Sequence, residues 1–97
     1  MLYNLKRKPT HPGELLHEEF LKPLKLTQRR FAEHIGVEVK TINRIVNERQ
    51  SLTPEIALKF AASLNTTVEF WLSAQMTTDI WNLKNSKMKL PKSLNVG

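Results

Sequence analysis

Residues 26–47 read LTQRRFAEHIGVEVKTINRIVN, two short amphipathic segments that meet at Gly36. A helix leaves its first N–H groups and last carbonyls without internal partners, so side chains that satisfy them mark where helices begin and end. Thr27 is placed to cap the first segment, with Leu26 and Phe31 at the spacing of a hydrophobic staple. Val37 and Ile42 repeat that spacing around Glu38, and Gly36 can take the positive φ with which the preceding helix closes. The pattern predicts helices over about 28–35 and 39–47 joined by a sharp turn.

The second of these segments divides into two faces. Val37, Ile42, Ile45 and Val46 turn inward, whereas Val39 and Asn43 align at i, i+4, as do Lys40 and Arg44, with Thr41 and Glu38 beside them. The outer set suits the edges of base pairs. Lysine and arginine donate to guanine O6 and N7, asparagine pairs with adenine N6 and N7, and a valine rests against a thymine methyl. Gln28, just after the cap of the first segment, stands where its amide and free helix N–H groups can grip a phosphate. Asn47 either touches phosphate or caps the helix. This is the layout of a helix-turn-helix that reads DNA; the alternative, a helix pair used only for packing, does not explain why the polar residues share one face.

The net charge of +6 supports this less directly than it first suggests. Lys6, Arg7 and Lys8 near one end and Lys84, Lys87, Lys89 and Lys92 near the other carry the excess, so residues 10–81 are close to neutral. Within that body Glu14, Glu18 and Glu19 cluster on one segment, while Arg29, Arg30, Lys40, Arg44 and Arg49 crowd the paired helices. One basic face and one acidic face are expected. The 97 residues suffice for one small domain, completed by several helices or by a second chain. With no cysteine there is neither disulfide nor thiolate ligation, and the opening residues lack the apolar run of a leader. No window approaches the roughly 18 apolar residues of a membrane span. The expectation is a cytoplasmic chain.

Three segments are expected: a basic lead-in (1–10), the helical domain (11–84) and a basic, flexible tail (85–97). Pro12 suits the first turn of a helix over 12–22, with Leu16, Phe20 and Leu24 as its apolar stripe and Pro23 ending regular helix. After a loop over 48–52, Thr53 and Pro54 start a fourth helix that buries Ala57, Phe60, Ala61 and Leu64. Thr67 caps a fifth, about 68–84. That last helix has two apolar stripes, Phe70, Ala74 and Trp81 on one side and Leu72, Met76, Ile80 and Leu83 on the other. One is expected to pack on the core and the other, Leu72, Met76, Ile80 and Leu83, to pair two chains, since large apolar patches are seldom left in water. A tail folded back over it, using Met88, Leu90, Leu94 and Val96, is the alternative.

Catalytic and metal chemistry find little support. His17 and Glu18 open a zinc-protease pattern that fails at Leu21, and Gly13, Gly36 and Gly97 make no phosphate-cradling loop. No nucleophile stands with a base and an orienting acid. His11, His17 and His34 read as surface or capping residues, and Phe70, Trp71 and Trp81 as core or interface rather than stacking platforms. No enzyme activity, cofactor, metal or small-molecule substrate is expected.

The stretches HPGELLHEEFLKPLKLTQRRFAEHIGV, INRIVNERQSLTPEIALKFAASLNTTVEFWLSAQ and DIW resemble HigA-type (VapI-like) antitoxins, within the Cro/C1 (XRE) helix-turn-helix proteins. The resemblance covers about residues 11–83. HPGE, SLTPEIAL and EFWL are distinctive of the HigA branch; LTQ and the IGV turn are shared more widely. It implies an all-α, five-helix lambda-repressor-like domain that dimerises, binds a palindromic operator in its own promoter, and neutralises a HigB-like mRNA endonuclease. It also implies that Gln28 contacts phosphate and that Val39, Lys40, Thr41, Asn43 and Arg44 face the major groove. Two residues depart from the pattern: Glu48 stands where the wider family often has glycine, and Glu38 replaces the usual serine or threonine cap. The competing functions are a solitary transcriptional regulator without a toxin, and a protein inhibitor whose Glu14, Glu18 and Glu19 engage a basic partner.

Overall fold

The computed structural model describes residues 7–95. Regular structure among them is entirely helical: α1 spans 12–24, α2 is Gln28–Ile35, α3 Val39–Val46, α4 Pro54–Leu64 and α5 Val68–Lys84. The expected all-α, five-helix architecture is the one that forms. Lys6 and Val96, which entered the reading of the two ends, lie outside the described residues.

Capping chemistry sets the boundaries. Thr27, Thr53 and Thr67 have extended backbones, and their hydroxyls accept from the N–H groups of Arg30 (3.1 Å), Ile56 (3.3 Å) and Phe70 (3.0 Å). Gly36 closes α2 at φ +73°, and the Val37 N–H reaches back to the Ala32 carbonyl at 3.0 Å. His11 caps α1: its Nδ1 accepts from the Gly13 N–H at 2.9 Å, with Pro12 in the first turn. The imidazole is buried, and the lost hydration pushes its pKa below the ordinary histidine value despite the nearby carboxylates of Glu48 and Asp79.

α1 departs from expectation at Pro23. The helix continues to Leu24, because its middle, Leu16–Leu21, is π-helical, with the Lys22 N–H bonded five residues back to the His17 carbonyl. A proline removes one N–H and crowds the carbonyl four residues earlier; a wider turn eases both demands. The wider turn also shifts the buried face. Leu16 and Leu21 become the core residues, whereas Leu24, expected in the stripe, is 56 % exposed.

The core is built on aromatic contacts that join four helices. Phe31 of α2 meets Phe60 of α4 at 5.4 Å between ring centroids, Phe60 meets Trp71 of α5 edge-on at 5.0 Å, and Trp71 meets Phe20 of α1 at 5.3 Å. Trp71 is fully buried, its indole N–H donating to Thr66 Oγ1 at 2.7 Å. Ile42 and Ile45 of α3 and Leu52 of the following loop complete the cluster.

α5 corrects the two-stripe reading. Its core-facing line is Trp71, Gln75 and Thr78, all buried, which at about 100° per residue falls between the two apolar stripes. The Phe70, Ala74 and Trp81 stripe is therefore a flank rather than the core face, and Phe70 is partly exposed. Periodicity misleads here because hydrogen bonds let the polar Gln75 side chain occupy the buried line. On the other flank Leu72 and Ile80 are half-buried, while Met76 (44 %) and Leu83 (54 %) remain exposed. Met88 and Leu90 of the following segment line an apolar groove of about 420 Å³ with Ile80 and Leu83, yet stay mostly exposed themselves, so they do not seal it.

Gly13 is where α1 touches α3. A Cβ there would lie 1.8 Å from the Ile45 carbonyl oxygen and 2.9 Å from Val46 Cα, so the two backbones meet with no space for a side chain. Backbone cannot swing aside as a long side chain can. Gly13→Ala should lower the unfolding free energy by about 3 kcal/mol, the upper end for overpacking; urea denaturation showing a loss below about 1 kcal/mol would place the α1–α3 contact elsewhere.

Candidate nucleic-acid interface

α3 is anchored along one side only. Ile42 and Ile45 are fully buried, with Val37 and Val46 half-buried beside them. Lys40, Asn43 and Arg44 stand exposed on the other side, and Thr41 is half-exposed. Lys40 and Arg44 make no ion pair among the described residues, so both cations are available to an incoming acceptor.

The residues singled out in the sequence do not all share one surface. Gln28 and Asn43, fifteen positions apart, are brought together: Asn43 Nδ2 donates to Gln28 Oε1 at 3.2 Å. This links the residue at the start of α2 to the centre of the exposed face of α3, and it turns the Gln28 amide nitrogen away from Asn43. Lys40 and Arg44 lie to one side of Asn43 on α3, and Thr41 lies further round, toward the buried face. Val39 belongs less to this face than its spacing implied, because it is half-buried and packs against the core. Asn47 is the C-terminal cap of α3, its Nδ2 donating to the Asn43 carbonyl at 2.9 Å.

Glu38 occupies the N-cap position with an extended backbone but makes no side-chain capping bond. Its carboxylate leaves the first-turn N–H groups of α3 without a side-chain acceptor. Arg29, Arg30 and Arg49 are exposed around this surface. By contrast Glu14, Glu18 and Glu19 lie exposed on α1, so the acidic and basic sets sit on different elements.

The sequence did not show the burial of two residues of consequence. His11 was read only as a surface or cap position, yet it is buried as well as capping. Gln75 lies in the buried line of α5 and holds the loop that follows α3, its Oε1 accepting from the Leu52 N–H at 2.9 Å. The hint was an amide four residues before a carboxylate, Asp79, on one helix.

A short helix exposed on one side, docked by its other side on a helical core and preceded by a capped partner helix, defines a helix-turn-helix domain. Comparison with known proteins agrees. The helix-turn-helix family profile matches residues 18–71. An uncharacterised HTH-type transcriptional regulator of Haemophilus influenzae is 43 % identical over 86 % of this chain and 78 % of its own length. Antitoxin HigA-1 of Vibrio cholerae is 41 % identical over 82 % of this chain and 75 % of its own. Among solved structures, antitoxin GraA in complex with its operator superposes with a TM-score of 0.73 at 33 % identity, covering 92 % of this chain and all of that one. The chain belongs to the helix-turn-helix family and, within it, to the HigA-type antitoxins.

The loop after α3 carries a backbone penalty. Glu48 sits at φ +59°, a conformation that favours glycine, which is the residue the wider family often has there. Its exposed ion pair with Lys8, 3.9 Å, offsets little of this. Glu48→Gly should raise the unfolding free energy by about 0.5–1 kcal/mol. Unchanged or reduced stability in urea titrations would show that the loop relieves the strain by another route.

Proposed function

We propose that this chain is the antitoxin of a two-gene module: it neutralises a HigB-like mRNA endonuclease and, as a dimer in the cytoplasm, represses its own operon by reading a palindromic operator. The observation that carries the DNA half of this reading is the one-sided anchoring of α3, which leaves Lys40, Asn43 and Arg44 exposed around the Gln28–Asn43 bond. The toxin half is supported by similarity to proteins named as antitoxins. The work required is binding rather than catalysis. Among the described residues no group of side chains has the makings of a metal site, and no helix is long and apolar enough to cross a membrane.

In this reading Lys40, Thr41, Asn43 and Arg44 contact base edges or the phosphates beside them, with Val39 at the margin of the groove. Gln28 and the free first-turn N–H groups of α2 hold the backbone phosphates that set register. Glu38 moderates this through its negative charge, and Asn47 contributes by ending α3. Removing one bidentate base contact forfeits roughly 1–3 kcal/mol of discrimination. Asn43→Ala and Arg44→Ala should each weaken operator binding about 10- to 100-fold at fixed salt; scrambled-duplex affinity should stay nearly unchanged for Asn43→Ala and fall by less than operator affinity for Arg44→Ala, which also loses a cation. Operator binding that survives both substitutions would rule out direct readout by α3.

Dimerisation is assigned to the Leu72, Met76, Ile80 and Leu83 flank of α5, whose exposed members continue into the apolar groove beside Met88 and Leu90. Two copies joined there present their α3 helices to half-sites about 34 Å apart. Met76→Asp and Leu83→Asp should each give monomers by analytical ultracentrifugation and lose operator affinity together with the dimer. A variant that stays dimeric would move the interface. The toxin half is tested by growth: cells expressing the neighbouring small open reading frame should arrest, and this chain supplied in trans should relieve the arrest. Arrest without relief, or no arrest, would favour a solitary regulator with the same DNA chemistry.

A further inference from the structure

Gln75 is a glutamine in a helix face that otherwise meets the core, and every polar atom of its amide is used. Oε1 accepts from the Leu52 N–H at 2.9 Å, and Nε2 donates to Asp79 Oδ1 at 2.9 Å and to Ser51 Oγ at 3.4 Å. An amide has a carbonyl end and an amino end, and only one orientation serves Leu52. The Asp79 carboxylate, which only accepts, selects it by drawing the amino end to itself. Asp79 is exposed and one turn further along α5, so it reaches the buried amide without being buried itself.

The peptide held in this way is the far anchor of the loop that begins at α3. Asn47 ends the helix, Glu48 takes a left-handed conformation, and the Arg49 N–H returns to the Arg44 carbonyl at 2.8 Å. Leu52 then buries its side chain in the core. Between its two anchors the loop presents exposed Arg49 and supports the last turn of the helix that carries Arg44.

We propose that Gln75, oriented by Asp79, is a positioning residue for DNA reading: by fixing the Leu52 peptide it sets the path of loop 48–52 and with it the attitude of the C-terminal half of α3 and of Arg49 toward a duplex. Gln75 itself touches no DNA. The inference rests on the DNA-binding reading above.

The test compares the full-length protein with Gln75→Leu, Asp79→Ala and Asp79→Asn, measuring affinity for operator and for scrambled duplex at one salt concentration, and hydrogen exchange at the Leu52 amide. Asp79→Asn retains an oxygen that accepts from Gln75, whereas Asp79→Ala does not. Expected are a fall of about tenfold or more in the operator-to-scrambled ratio for Gln75→Leu and Asp79→Ala, faster exchange at Leu52, and substantial recovery of both in Asp79→Asn. Scrambled-duplex affinity, which depends on exposed cations, should change by no more than about twofold. A ratio within about twofold of wild type in folded Asp79→Ala, or identical behaviour of Asp79→Ala and Asp79→Asn, would overturn the proposal even if Gln75→Leu fails to fold. A wild-type protein with no preference for operator would instead overturn the DNA-binding reading beneath it.

Discussion

The contact on which the exposed face of α3 depends is the backbone approach of Gly13 to Ile45. A helix that is to meet another molecule along one side must be held along the other, and α3 has only eight residues with which to arrange this. Ile42 and Ile45 supply the apolar grip, but side-chain packing alone tolerates small rotations. A glycine set against a carbonyl oxygen removes much of that freedom, because backbone meets backbone. The His11 cap and Pro12 then hold the first turn of α1 that carries Gly13, so the sequence HPGE acts as a bracket for α3.

The other constraint is the order in which aromatic rings meet. Phe31, Phe60, Trp71 and Phe20 form a chain of edge-on and tilted contacts through α2, α4, α5 and α1. Trp71 sits at its centre, and its indole N–H is satisfied by Thr66. Loss of one ring would therefore loosen several helix pairs at once. α3 lies outside this chain and is tied in by Gly13, by its two isoleucines and by the loop pinned at Leu52. That arrangement keeps the bulk of the core away from the exposed face and leaves α3 free of aromatic side chains.

Much of this could be read from the residues because helix ends are local events. Thr27, Gly36, Thr53 and Thr67 act within one turn of themselves, so their roles follow from neighbours in sequence. The burial of Ile42 and Ile45 opposite Lys40, Asn43 and Arg44 follows from the helical period. The readings that failed depend on something non-local or on a departure from that period. Leu24 left the core because the π-helical stretch shifts the register of α1. The stripes of α5 were placed one flank too far round because its buried line includes Gln75 and Thr78, whose polarity disguises their burial.

By itself the sequence determined five helices, the turn at Gly36, and which side of α3 carries cations and amides, since capping and periodicity are properties of residues a few positions apart. Tertiary structure alone decided that Gln28 bonds Asn43, that Gly13 rests on the Ile45 carbonyl, and that Gln75 grips Leu52 from twenty-three positions away. Those contacts join segments whose separation along the chain carries no period. They exist because packing the aromatic chain brings particular backbone groups within hydrogen-bonding or van der Waals reach, and a buried N–H or a crowded carbonyl then admits few neighbours.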